Sequence, residues 1–250
     1  MDVPCRPGTA VAAAAVIGAT IALALRGIAR TPAPAAEQAD APFLGPKVRG
    51  WYVGTLAPIQ ARLAAWEVHP DALTWTQLGV SVLAGAAFAG GAMFLAGWLT
   101  ILAGTLDIFD GALARARGTA SPRGAFLDSV VDRWAELATF AGMGAFYRDS
   151  WLLGAVALAA SGSLMVSYAR ARAEGLGLTL LQGNVQRPER YVLLGFGAWI
   201  SGLVEHVRCV AGARHPILGA AVCLLAVLSV WTAVRRARLA LRALDRRAGP

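Results

Sequence analysis

Six apolar stretches, at about residues 73–93, 94–116, 125–147, 151–172, 190–210 and 216–238, run almost end to end through this chain. Each is close to the ~20 residues that a helix needs to cross a hydrocarbon core. Only a helix or a closed barrel satisfies its own backbone in lipid, so each stretch predicts a membrane-spanning helix. The chain of 250 residues is 57% hydrophobic and 15% charged, too apolar for an ordinary soluble domain. The expected fold is all-α and integral to the membrane: six transmembrane helices, preceded by an interfacial helix.

That interfacial helix is read between Pro46 and Val68, where Trp51, Leu56, Ile59, Leu63 and Trp66 oppose Lys47, Arg49 and Arg62. Upstream, residues 31–46 carry Pro32, Pro34, Pro42 and Pro46 and suit a linker. Residues 10–25 form an Ala-rich apolar stretch shorter than a full span, followed by Arg26 and Arg30. An extra anchor, a signal-like segment and an upstream mis-start all fit it. The chain thus divides into residues 1–46, a membrane domain over 47–242 and a basic tail over 243–250.

All basic residues except Lys47 are arginine, and the net charge is +8. Lys47, Arg49, Arg62, Arg115, Arg117, Arg123, Arg170, Arg172, Arg187, Arg190 and the run from Arg235 to Arg247 fall on one side of the spans. Arg148, Arg208 and Arg214 fall on the other. The crowded side is therefore expected to be cytoplasmic, in a multi-pass protein of the cell membrane. Cys5, Cys209 and Cys223 form no ligand or disulfide pattern, and His69, His206 and His215 stand alone. No Rossmann glycine fingerprint or phosphate loop is present, and no nucleic-acid partner is expected.

Four aspartates interrupt the apolar pattern: Asp107, Asp110, Asp128 and Asp132. Spacings of three and four residues place each pair on one helix face. The short connection around Gly118 to Pro122 makes the two helices antiparallel neighbours, so all four carboxylates are expected near the cytoplasmic ends of the second and third spans. Such a cluster demands a countercharge, and oxygen ligands favour hard divalent ions such as Mg2+ or Mn2+, with two ions fitting the charge count. Gly111, Ala114 and Gly124 keep the adjoining surface open, and Arg115 offers a guanidinium to a phosphate. Intramembrane aspartates also serve as proton relays, transporter sites or helix-pairing groups, so a cation-binding membrane protein without catalysis is the alternative of another class.

The string D-x2-D-G-x2-A-R-x8-G-x3-D-x3-D, read at Asp107, Asp110, Gly111, Ala114, Arg115, Gly124, Asp128 and Asp132, resembles the signature of the CDP-alcohol phosphatidyltransferase family at every defining position. The resemblance extends over about residues 47–242. It implies a reaction in which an acceptor hydroxyl attacks the lipid-side phosphorus of CDP-diacylglycerol and CMP leaves. It further implies that Asp107, Asp110 and Asp128 hold the divalent metals, that Asp132 shares in that site and is the general base, and that the protein is a homodimer. Gly111, Ala114 and Arg115 would line the CDP-lipid site, with Gly124 beside them.

A second group of arginines bears on the acceptor. Arg170 lies in SYARARAEG at the end of the fourth span, Arg190 in RPER at the start of the fifth, and Arg236 at the end of the sixth. Converging guanidinium groups suit a phosphorylated polyol. These segments, with Val68 to Thr74, resemble the phosphatidylinositol phosphate synthase branch, which implies inositol phosphate as acceptor and Arg170, Arg190 and Arg236 as its phosphate ligands. Arg170 departs from a position that is commonly lysine there. Glycerol 3-phosphate is the rival acceptor. The remaining arginines, Arg238, Arg242, Arg246 and Arg247 among them, read as anchors to membrane lipids.

Overall fold

The computed structural model describes residues 22, 26–30, 45–178, 187–208 and 215–248. Residues 31–44 of the linker and most of the first apolar stretch lie outside these residues, as do Cys5, Cys209 and Arg214. From Gly45 onward the described residues form seven helices: α1 Gly45–Ala65, α2 Pro70–Ala89, α3 Met93–Ala116, α4 Pro122–Phe146, α5 Leu152–Gly175, α6 Arg187–Arg208 and α7 Pro216–Ala248. No strand occurs among the described residues.

Local chemistry sets the ends that matter for function. α3 stops where Gly118 adopts φ +64° and the Thr119 N–H reaches back to the Ala114 carbonyl at 3.0 Å, a left-handed turn that closes the helix. After three residues α4 begins with Pro122 in its first turn, and the Ser121 hydroxyl accepts from the Gly124 N–H at 3.1 Å. This tight reversal sets the C-terminal end of α3 beside the N-terminal end of α4, and both aspartate pairs lie at that end.

Six of the helices close into a ring. In order round the bundle, α2 packs on α3, α3 on α6, α6 on α7, α7 on α5, α5 on α4, and α4 on α2. Four of them, Pro70–Ala89, Met93–Ala116, Leu152–Gly175 and Pro216–Arg247, are long and apolar enough to cross a membrane. α4 and α6 have 25 and 22 residues, but α4 carries Asp128, Asp132 and Glu136 in its first half and α6 opens on the charges of the RPER segment. The outside of the bundle remains apolar, with Trp75, Leu83, Trp98, Trp134, Leu158, Val227 and Trp231 all exposed, a surface suited to lipid. The ring is also divided lengthwise. At one end a dry core gathers Phe88, Met93, Phe140, Met143, Tyr147, Leu218, Val222 and Leu225. The other end holds the aspartates and the buried arginines.

α1 packs against α3 through part of its apolar face. Leu56 and Leu63 join Val68 against Leu73, Phe109 and Leu113, and the Tyr52 hydroxyl meets Thr105. Ile59 and Trp66 instead point outward, with Trp66 beyond the end of the helix. Arg117 ties this segment to α3 by donating to the carbonyls of Val68 at 2.9 Å and Ala64 at 3.2 Å.

α2 and α4 approach closely where a Cβ on Gly142 would overlap the backbone of Gly85. Gly142→Ala should therefore cost about 1–3 kcal/mol of overpacking. The expected outcome is a fall of roughly 3–10 °C in the thermal midpoint in detergent, followed by circular dichroism. Gly154→Ala, where nothing lies within 4 Å, should leave the midpoint unchanged.

Candidate functional site

Carboxylates from two helices meet at the polar end of the ring. Asp107 of α3 and Asp128 and Asp132 of α4 each place a carboxylate oxygen within 4.8 Å of the other two. Asp110 stands apart from that trio. The Thr74 hydroxyl donates to its Oδ2 at 2.9 Å, and the Gly111 N–H donates to its Oδ1 at 2.6 Å. Three of the four expected ligands thus converge, and the fourth is held at the edge of the group by α2.

The trio is countered in part from α6. Arg187 donates to Asp107 Oδ1 at 2.9 Å and pairs with Asp132 Oδ2, while Arg133 stands 3.6 Å from the same Asp132 oxygen. One turn further along each helix the pattern repeats, with Arg190 bonded to Glu136 at 2.5 Å. α4 and α6 are therefore joined by two carboxylate–guanidinium rungs, Asp132 to Arg187 and Glu136 to Arg190. The Asp128 Oδ1 is buried and accepts no hydrogen bond. Oxygen donors at this spacing, one of them without a donor, fit a hard divalent cation. Asp107, Asp128 and Asp132 are the residues that would hold it.

Beside the carboxylates lies a cavity of about 310 Å3. Asp110, Gly111, Ala114 and Arg115 of α3 form one wall and Gly124 and Asp128 of α4 another, with His69, Asp71 and Thr74 at the start of α2 and Arg123 completing it. All four residues expected at a CDP-lipid site line this one space. Arg115 folds back over Gly111, where an added Cβ would stand 3.2 Å from its Nη1. Arg123 and Asp71 close an ion pair of 2.8 Å across the mouth.

The three arginines expected at the acceptor phosphate gather along one face of α5. Arg190 donates to the Ser163 carbonyl at 3.4 Å and Arg236 to the Val166 carbonyl at 2.9 Å, and Arg170 follows Val166 by one turn. Arg236 lies within electrostatic reach of both Arg170 and Arg190. Arg190 and Arg236 are each only 5% exposed, and the Nε–H of both is buried without an acceptor. Buried guanidinium donors left unused are an expensive arrangement unless an anion takes them. Arg170 is exposed and pairs with Glu174 at 2.8 Å.

Several residues of the site carried no assignment in the sequence. Arg187 counts in the sequence only among the basic residues of the crowded side, and Thr74, Gln77 and Glu136 carry no site role there. The signal available for Gln77 was its amide in a membrane segment, where an unpaired polar group is costly.

Comparison with known proteins agrees with this geometry. Residues 67–231 match the sequence profile of the family described as CDP-alcohol phosphatidyltransferase. The chain is 34% identical over 180 residues to the archaetidylinositol phosphate synthase of Methanothermobacter thermautotrophicus, spanning 72% of this chain and 85% of that protein. It is 36% identical over 226 residues to the phosphatidylinositol phosphate synthase of Streptomyces avermitilis, spanning 86% and 87%. Among solved structures, the phosphatidylinositol phosphate synthase of Mycobacterium tuberculosis with CDP-DAG bound superposes with a TM-score of 0.62 at 32% identity, over 73% of this chain and 92% of that one. The same enzyme in complex with manganese and citrate gives 0.64 at 31% identity, over 74% and 88%.

Arg187→Gln tests the charge balance. Without metal, Asp107 and Asp132 would lose their shared countercharge, at about 2 kcal/mol, less than the ~3–5 kcal/mol of a fully buried pair. Thermal unfolding of the variant in chelator should show a clear deficit against the parent protein. Mn2+ taken up by the same carboxylates should close at least half of the gap. A deficit of equal size in chelator and in Mn2+ would refute this account.

Proposed function

The chain belongs to the CDP-alcohol phosphatidyltransferase family, and on that premise we propose that it joins the phosphatidyl group of CDP-diacylglycerol to a hydroxyl of inositol phosphate, releasing CMP. It is a multi-pass membrane enzyme of phospholipid synthesis that uses a divalent cation. The observation that carries the proposed acceptor is the pair of buried arginines, Arg190 and Arg236, with unused Nε–H donors close to Arg170. The relatives named for inositol phosphate products support the same choice.

In the proposed reaction the acceptor oxygen bonds to the lipid-side phosphorus as that phosphorus parts from the bridging oxygen of CMP. Gly111, Ala114, Arg115 and Gly124 line the space for the nucleotide and its phosphates, with Arg115 donating to a phosphate oxygen. Arg170, Arg190 and Arg236 hold the acceptor phosphate and so set where its hydroxyl lies. Asp132 takes the hydroxyl proton as general base. Asp107, Asp110 and Asp128, with Asp132, form the proposed metal site, and the bound cation supplies the positive charge that offsets the pyrophosphate and the departing CMP. Positioning and electrostatics suffice for this chemistry, which asks little covalent help of the protein.

The same reading places α2 to α7 as six spans, with α1 along the cytoplasmic interface and the site facing the cytoplasm of the cell membrane. A water-facing mouth beside a lipid-facing surface suits a donor whose tails stay in the bilayer while its nucleotide is in water. The functional unit is a homodimer, with residues 47–242 as its catalytic domain.

Purified protein with CDP-diacylglycerol, Mn2+ or Mg2+ and a panel of acceptors tests the proposal. CMP should appear with inositol phosphate. CMP with glycerol 3-phosphate but not inositol phosphate would move the chain to the rival acceptor, and no CMP with any acceptor would sink the enzymatic reading. Asp132→Asn should lower kcat by roughly 10²–10⁴-fold while CDP-lipid still binds. Arg190→Ala should raise the acceptor KM about ten- to a hundred-fold and the CDP-lipid KM far less.

A further inference from the structure

Beyond Asp71 in its first turn, α2 brings only uncharged side chains to the site, yet it bonds to two of the carboxylates. Its buried polar residues, Thr74, Gln77 and Ser81, are spaced three and four apart and so lie on one stripe facing the bundle interior. Thr74 bonds to Asp110 at 2.9 Å, and Gln77 Nε2 donates to Asp132 Oδ1 at 3.0 Å. The same amide nitrogen lies 3.3 Å from the Tyr191 hydroxyl on α6. Gln77 has no exposed surface at all. Burying a carboxamide in an apolar helix costs on the order of 2 kcal/mol or more unless its bonds repay it, and Gln77 Oε1 accepts none.

We propose that Gln77 is the positioning residue of the carboxylate site, fixing Asp132 by its Oδ1 so that its Oδ2 faces Asp107, Asp128 and Arg187. Only the NH2 of a carboxamide donates to a carboxylate oxygen, so the bond dictates which way the amide points. With two hydrogens on one nitrogen, the amide reaches Asp132 on α4 and Tyr191 on α6 at once. The Asp132 carboxylate is thereby denied rotation about its last torsion, which for a carboxylate is otherwise broad. Oδ2 is then left as the oxygen that meets a cation or an incoming proton. Outer-sphere partners of this kind typically change metal affinity or activity by about 10–100-fold when removed. The inference rests on the reading of Asp132 as part of the metal and catalytic site.

The test uses the full chain in detergent with Gln77→Met, which keeps length and apolar volume but loses the donor. Mn2+ affinity is measured by calorimetry, alongside kcat and both KM values. The expected result is a ten- to hundred-fold loss in Mn2+ affinity and in kcat, with the acceptor KM changed by less than about threefold. Gln77→His, which retains an N–H donor, should recover much of the loss. Ser81→Ala, on the same buried stripe but without a bond to any carboxylate, should match the parent in Mn2+ affinity. Should Gln77→Met not yield folded protein, Tyr191→Phe, which frees the amide at its second contact, should weaken Mn2+ binding by about threefold. Parental Mn2+ affinity and kcat in Gln77→Met, or in Tyr191→Phe where that variant stands in, would overturn the inference alone. A general loss shared by Ser81→Ala would do the same. A parent protein that binds no Mn2+ and releases no CMP would overturn the underlying reading of the site as well.

Discussion

Everything at the polar end of the bundle follows from placing four carboxylates among apolar helices. Charge without water is costly, and each aspartate has a different answer to that cost. Asp107 and Asp132 share Arg187, Asp132 has Arg133 and Gln77 in addition, and Asp110 takes a hydroxyl and a backbone N–H. Asp128 keeps one buried oxygen with no donor at all. The buried Asp128 oxygen without a donor marks a ligand site rather than a closed structural ion-pair network.

The bundle supports this end by keeping its other end dry. Phe88, Phe140, Met143, Leu218 and Leu225 pack tightly there, and Gly85 and Gly142 let α2 and α4 approach closely. That approach is what brings the polar stripe of α2 within hydrogen-bonding distance of α4. Gln77 touches Asp132 because two glycines, roughly two to three turns away, leave the helix axes close. Packing and chemistry are thus coupled along a single pair of helices.

Much of this was legible in the chain itself. The helix bounds track the apolar segments, since hydropathy over about 20 residues and the Gly118 to Pro122 turn leave little freedom. The residues of the cavity were legible as well, because Gly111, Ala114, Arg115 and Gly124 are fixed by spacing on two helices joined by a short turn. The divergence of Asp110 was less so. Residues three apart differ by about 60° around a helix, so Asp107 and Asp110 share a broad face without sharing a target. Thr74 and Gln77 were hidden for another reason. Their partners lie 36 and 55 residues away, and nothing in a local window registers a contact at that separation. Arg187 counts in the sequence as one more positive charge on the crowded side, and only the packing of α6 on α3 reveals it as the counterion.

The paired rungs between α4 and α6 have a mechanical consequence. Asp132 and Glu136 are four residues apart and Arg187 and Arg190 are three apart, so both pairs engage in only one register. A slide of α6 by one residue, about 1.5 Å, disengages both together. The joint is keyed, like a bolt with two teeth, and it holds Arg190 at a set height relative to Asp132. Arg170 and Arg236 sit on other helices and are not part of the key. Changes on α5 and α7 can therefore reshape the pocket without altering the distance between the carboxylate and Arg190.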